Sequence, residues 1–170
     1  MWSLDECHFQ QHGTRCVMWV PPEDTDPFLL HAPTRKSVAL FGAVNLRLGQ
    51  LVTQFHSAFD GVTFQIFLET LIRHRRSGKR LIVILDNASY HHAKSLAHFL
   101  KKYQHVLKLL FLPPYSPDLN PIERVWKLTR RVCTHNQYFP QFQDLVDAVA
   151  NQMKLWSKPN KPLSTLCGII

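Results

Sequence analysis

The pattern of apolar and polar positions changes character along the chain. Trp2 to Leu4 reads as the end of a short strand, with Asp5-Glu6 just beyond it. Gln11-His12-Gly13 is a turn, and Thr14 to Val20 reads as a further strand. Pro21 to Pro33 is rich in proline and acids and has no periodicity, so it is a loop. Val38 to Leu46 and Gln50 to Phe55 are apolar and β-rich. Arg47-Leu48-Gly49 between them predicts a hairpin in which glycine supplies φ > 0.

Helical spacing then takes over. Phe64, Phe67, Leu68, Leu71 and Ile72 predict an amphipathic helix over Thr63 to Arg76, stopped by Ser77-Gly78. Leu81 to Leu85 is an unbroken apolar run, the pattern of a strand buried on both faces, and it ends at Asp86. Ala93, Leu96, Ala97 and Leu100 mark a second helix, and Val106 to Leu112 another buried strand. Ile122, Val125, Trp126 and Thr129 give a third helix one apolar face, and a fourth spans Phe142 to Trp156. Antiparallel strands followed by alternating strand and helix predict an α/β fold. Its core is a mixed five-stranded sheet, three antiparallel strands then two parallel, with helices on both faces. The expected domain is 1–156, with 157–170 a loosely docked C-terminal tail.

Between the last strand and the third helix lies LFLPPYSPDLNPIERVW, Leu110 to Trp126. Pro113, Pro114 and Pro117 lock φ and forbid regular structure there. Asn120 reads as an N-cap, Pro121 as the first helical residue and Glu123 as the third, so Asn120-x-x-Glu123 has the outline of a capping box. Glu123 has a second reading, as a carboxylate aimed by a rigid loop into a cleft. One carboxylate serves one of these well; the reading adopted is the cleft, with Asn120 alone capping the helix.

Composition narrows the function classes. Lys and Arg number 20 against 12 Asp and Glu, a net charge of +8, which favours a polyanionic partner such as nucleic acid. No apolar run reaches membrane-spanning length, and the N-terminus lacks a signal-peptide layout. Four sparse cysteines fit reduced thiols in a cytoplasmic compartment. The spacing of Cys7, His8, His12 and Cys16 matches no standard structural zinc site.

Three carboxylates stand at the ends of elements: Asp5, Asp86 and Glu123. In an open sheet, sites gather beyond the carboxyl ends of strands. Carboxylates brought together repel unless a cation neutralises them, and hard oxygen donors suit Mg²⁺ or Mn²⁺. Two such ions can activate a water or a 3′-hydroxyl at a phosphodiester. Singly, each residue also has a plain structural role: Asp5 and Asp86 in turns, and Glu123 paired with Lys127 at i, i+4.

SLDE at 3–6, FGAV at 41–44, LDNASYHH at 85–92 and LPPYSPDLNPIERVW at 112–126 resemble the bacterial insertion-sequence transposases of the mariner superfamily. The resemblance covers nearly the whole chain, and the 36 residues between Asp86 and Glu123 fit the spacing of that group. It implies an RNase H-like fold and a DDE triad of Asp5, Asp86 and Glu123. It implies two Mg²⁺ or Mn²⁺ ions per site, hydrolytic nicking at transposon ends, and strand transfer into target DNA, usually at TA. Asp5 would bridge both ions, with Asp86 and Glu123 each holding one. A homodimer on double-stranded DNA and a bacterial, nucleoid-associated location are further expectations.

Relatives usually carry an N-terminal helix-turn-helix region that reads the transposon ends; here the first aspartate is residue 5, so the chain reads as an excised catalytic domain, a second reading frame joined by frameshifting to a helix-turn-helix polypeptide upstream, or a truncated remnant. Lys127 and Arg130 follow Glu123 on one helix face, and with Arg131 they are candidate phosphate contacts; the alternative is a solvated face. The resemblance places a histidine near the site, so His91 is a candidate for substrate phosphate or for support of a ligand. The basic run Arg73, Arg75, Arg76, Lys79 and Arg80 closes a helix, where cations suit the dipole; DNA contact is the lesser alternative. Trp19 and Trp126 read as core, and Asn87 as a residue that holds its loop. Two rival functions stay open: an RNase H-like nuclease that does not join ends, and a non-enzymatic DNA-binding or assembly module.

Overall fold

The computed structural model describes residues 1–24, 28 and 30–168. Five strands form one sheet: β1 (Trp2–Gln10), β2 (Ser37–Asn45), β3 (Leu51–His56), β4 (Leu81–Leu85) and β5 (Leu107–Phe111). Their order across the sheet is β3-β2-β1-β4-β5. β1 and β3 each pair antiparallel with β2, while β4 runs parallel to both β1 and β5. This is the predicted mixed sheet.

Helices cover both faces because the strands alternate. Trp2 and Leu4 of β1 and Phe41 and Ala43 of β2 pack with Phe64, Phe67, Leu68 and Leu71 of α1 (Gly61–Arg73). Cys7 and Phe9 of β1 and Leu40 and Val44 of β2 point the other way. They meet α3 (Ile122–Thr129), α4 (Phe142–Leu155) and α5 (Lys161–Leu166). Asp60 caps α1, accepting from the amides of Val62 and Thr63 at 2.9 and 2.8 Å. The hairpin between β2 and β3 turns at Gly49, with φ 65° as its position required.

Several expectations change. β1 is not short: it pairs with β2 from Trp2↔Asn45 to Gln10↔Ser37, so Asp5 sits inside the strand rather than after it. Thr14 to Val20 forms no strand apart from one bridge, Thr14↔His135. The segment takes no place in the sheet, whose five strands are ordered β3-β2-β1-β4-β5. Trp19 is consequently 99% exposed and not core, whereas Trp126 is 1% exposed. β5 is an edge strand with Leu110 and Phe111 partly open to solvent, not a buried one. In β4, Leu81, Val83 and Leu85 are buried while Ile82 and Ile84 are half-covered. The second helix, α2 (Ala97–Tyr103), starts late because Ser89–His92 and Lys94–Leu96 take tighter 3₁₀ turns. The segment after Ser157 docks: Asn160 caps α5 through the Leu163 amide, and Leu163 and Cys167 are fully buried. Residues 25–27 and 29 of the predicted loop, and 169–170, lie outside the described residues. Among the described residues no helix is long and apolar enough to cross a membrane.

Candidate active site

β1 and β4 are where the strand order reverses, the place where open sheets leave a crevice. Their recorded pairing is Trp2↔Val83 and Ser3↔Ile84, and the same register carried forward sets Asp5 level with Asp86. Asp5, Asp86 and Glu123 line one cleft of about 500 Å³ with Asn87, Ala88 and the Leu112–Pro117 loop. No lysine or arginine lines it.

The loop after β5 is stitched to the two central strands. Leu112 N donates to Leu85 O at 2.8 Å, and Asn87 Nδ2 donates to Leu112 O, so Asn87 holds its loop as expected. Asn120 is buried, and its side chain bonds to β1: Nδ2 donates to Leu4 O at 3.2 Å, and Oδ1 accepts from Ser3 Oγ. Ser3 Oγ in turn accepts from Ile122 N at 3.0 Å. The predicted side-chain cap by Asn120 is therefore not formed, and neither is a capping box with Glu123. The hydroxyl of Ser3 satisfies a free amide of the first turn, while Asn120 is spent on fixing that turn against β1. Glu123 is delivered beside Asp5 as a result.

Asp5 is 8% exposed, and Trp126 Nε1 donates to its Oδ2 at 3.1 Å. Opposite Asp5 on β2 stands Gly42. A Cβ built there would lie 2.3 Å from Trp126 Cη2, so the absence of a side chain is what admits the indole. Burial, then the charges of Glu6, Glu123 and Asp86, push the Asp5 carboxyl up to about 8, against the opposing pull of the Trp126 hydrogen bond. Buried carboxylates facing one another without a cation are what a hard divalent ion would relieve. This donor set fits such an ion.

Glu6 is the residue that the sequence reading passed over. Strand alternation puts it on the opposite face of β1 from Asp5, yet Asp86 at the strand end reaches both. Ligand atoms of Glu6, Asp86 and His91 lie within 4.8 Å of one another. Burial raises the Glu6 pKa, and its Oε2 is buried without a hydrogen-bond partner. The signal was present in the adjacent Asp5-Glu6 pair, and only the position of Asp86 at the sheet edge makes it meaningful.

His91 is 1% exposed, and its Nδ1 lies 3.1 Å from Asp86 Oδ1 and 3.2 Å from Asp86 O. Burial lowers its pKa, so the neutral ring donates through Nδ1 and braces Asp86. From that position it supports a carboxylate. Lys127 and Arg130 line a recess that also holds Glu123 and Arg124. Arg130 is partly engaged, 3.1 Å from Cys7 Sγ and over the Phe9 ring at 5.7 Å. Arg131 is exposed on the π-helical turn Arg130–Thr134 and does not line that recess. Tyr115, at the cleft rim, has φ 55° and a fully exposed side chain.

A family model described as DDE superfamily endonuclease matches residues 1–146. The chain belongs to that family. It is 33% identical over 126 residues to the Sinorhizobium fredii protein y4pE/y4sA, covering 74% of this chain and 90% of that one. The Tcb2 transposase of Caenorhabditis briggsae is 27% identical over 160 residues, covering 85% of this chain and 58% of that protein. Among solved structures, the Mos1 transposase in its paired-end complex with the left transposon end matches with a TM-score of 0.70 at 18% identity. That match covers 96% of this chain and 49% of the other. The fold of this DDE endonuclease domain is thus the RNase H-like fold of transposase and integrase catalytic domains. The chain spans about half the length of the transposases it matches.

Proposed function

We propose that this domain carries out DDE transposition chemistry. Asp5, Asp86 and Glu123 act as the catalytic carboxylates for metal-dependent hydrolysis at transposon ends and for strand transfer into target DNA. The observation that carries the reading is one cleft, free of basic side chains, in which three carboxylates from distant segments meet in a DDE superfamily endonuclease. Solved Mos1 complexes with Mg and with Mn support Mg²⁺ or Mn²⁺ as the ion; two per site is the proposed number, as two-metal phosphodiester chemistry uses. Bound there, the ions supply Lewis acidity toward the phosphodiester and its nucleophile.

The chain's own residues do the positioning. Trp126 holds Asp5, His91 and the Ala88 amide hold Asp86, and the Asn120–Ser3 bonds seat Glu123. Lys127, Arg130 and Arg131 are proposed phosphate contacts beside the cleft. The partner is double-stranded DNA, with TA as target, a homodimer as the working unit, and end recognition by a helix-turn-helix polypeptide.

Supercoiled plasmid with purified chain and Mn²⁺ or Mg²⁺ tests the reading: nicking is expected, and Asp86→Ala abolishes it. A duplex with a pre-cut 3′-hydroxyl end separates the rivals, since a transposase yields joined product and a simple nuclease does not. Salt-dependent DNA binding that survives replacement of all three carboxylates, with no nicking under any divalent ion, would establish a non-enzymatic module instead.

A further inference from the structure

A second recess lies at the other end of the sheet and has the opposite charge. It holds about 260 Å³ and is bounded by the starts of β1 and β4 at Trp2 and Leu81 and by the β2–β3 hairpin. Arg47, His74, Arg75, Arg76, Lys79 and Arg80 line it, and among the described residues no carboxylate does. Among the described residues no carboxylate lies within salt-bridge distance of any of these side chains.

The recess has a framed wall. Gly78, at φ 69°, closes a turn in which Lys79 N donates to Arg76 O at 3.1 Å. Arg75 Nη1 donates to Lys79 O at 2.8 Å, and Arg80 Nη2 donates to Gln104 O at 2.7 Å. These two guanidiniums fix the turn. Arg47, Arg76 and Lys79 are exposed and their side chains make no hydrogen bond to any described residue, which leaves them open to a ligand. Five residues of β4 separate the recess from Asp86, about 17 Å at the rise of a strand. A straight duplex seated in the carboxylate cleft would leave this pole facing away.

We propose that Arg47, Arg76 and Lys79, on the frame made by Arg75 and Arg80, form a second duplex-DNA surface. It takes the phosphate backbone of a molecule other than the one at the carboxylates. The idea rests on the nucleic-acid reading above, but its first readout needs no cleavage. Each lost phosphate contact lowers the slope of log affinity against log salt by about 0.9. In chelator, anisotropy of a 30-base-pair duplex should therefore show the slope of Arg47→Ala/Arg76→Ala/Lys79→Ala reduced by about 2 to 3. In Mg²⁺, wild-type chain loaded on an immobilised duplex should capture a second, labelled duplex, and the variant should lose at least about tenfold of that capture. Single-duplex nicking should stay within about twofold. The single Arg76→Glu reversal, at an exposed position, serves if the triple variant melts early; it should lower the slope by about 1 or more. An unchanged slope and capture overturn the proposal. So does a parallel loss of nicking, which would assign the recess to the same duplex as the cleft, and so does wild-type chain that binds no DNA in chelator.

Discussion

Gly42→Ala tests how the FGAV segment serves the cleft. The added Cβ would meet Trp126 Cη2 at 2.3 Å, Cζ2 at 2.8 Å and Ile122 Cδ1 at 3.5 Å. Carbon atoms rest at about 3.5–4.0 Å, so the indole must retreat by roughly 1.2 Å or more. Trp126 is buried on all sides, and its Nε1 bond to Asp5 is already 3.1 Å long, so that retreat breaks it. Overpacking of this kind costs about 1–3 kcal/mol. Gly42 does not lie in the left-handed region. Alanine thus recovers about 0.5–1 kcal/mol of backbone entropy, while the lost hydrogen bond adds a cost of about 1 kcal/mol. The net is a loss of about 2 kcal/mol, a Tm fall of roughly 4–8 °C for a chain of this size.

A double-mutant cycle isolates the contact. Trp126→Phe removes both clashing atoms and the N–H donor, and costs about 2 kcal/mol on its own. In that background Gly42→Ala should cost almost nothing, a coupling of at least about 1 kcal/mol by chemical denaturation. Both single variants should also reduce Mn²⁺-dependent nicking beyond their loss of folded protein, because Asp5 loses its anchor. Additive free energies within about 0.5 kcal/mol, or a Gly42→Ala protein with wild-type Tm and nicking, would refute the argument.

In chelator, stability should fall as pH rises from about 5 to 8. The Asp5 carboxyl is pushed from 3.8 up to about 8 by folding, so the folded chain holds a proton that the unfolded chain has released, and that advantage disappears as pH passes the folded value. Glu6, also raised, has the same sign; His91, lowered from 6.5, opposes it only in the acid part of the window. Thermal melts across pH check this, and Asp5→Asn should flatten the upper half of the profile; a flat wild-type profile would contradict it. Divalent binding must displace the same proton, so calorimetric titration of Mn²⁺ near pH 7 in two buffers of different ionisation enthalpy should show proton release, with affinity weakening as pH falls. Equal heats in both buffers would count against Asp5 as a ligand. Asn120→Ala removes the bond to Leu4 O and the acceptor of the buried Ser3 hydroxyl proton, and should cost about 2 kcal/mol. It should also weaken Mn²⁺ binding, whereas a melt unchanged from wild type would show that the loop is seated by other contacts.

Most of the sheet and its helices were legible because their signals are local. LIVIL, the Phe64–Leu71 stripe and the Ile122–Thr129 face each report burial directly, and Gly49 reports its turn. The misreadings share one cause, which is that partner availability is not local. Thr14 to Val20 has strand composition but finds only the single bridge Thr14↔His135, and Val106 to Leu112 was read as buried although β5 has a neighbour on one side only. The site divides in the same way. Asp5, Asp86 and Glu123 were visible as residue types at element ends, but the bonds that aim them are long-range. Asn120 reaches β1 across 116 residues, and Trp126 reaches Asp5 across 121. A capping motif and a docking motif are spelled with the same Asn-Pro dipeptide; Ser3, far away in sequence, decides between them by taking the helix amide itself. Once Ser3 fills that role, the Asn120 amide is free to hold β1, and Glu123 has no cap to fold back on. The conflict between capping and the cleft is therefore settled by a hydroxyl two residues before the first aspartate.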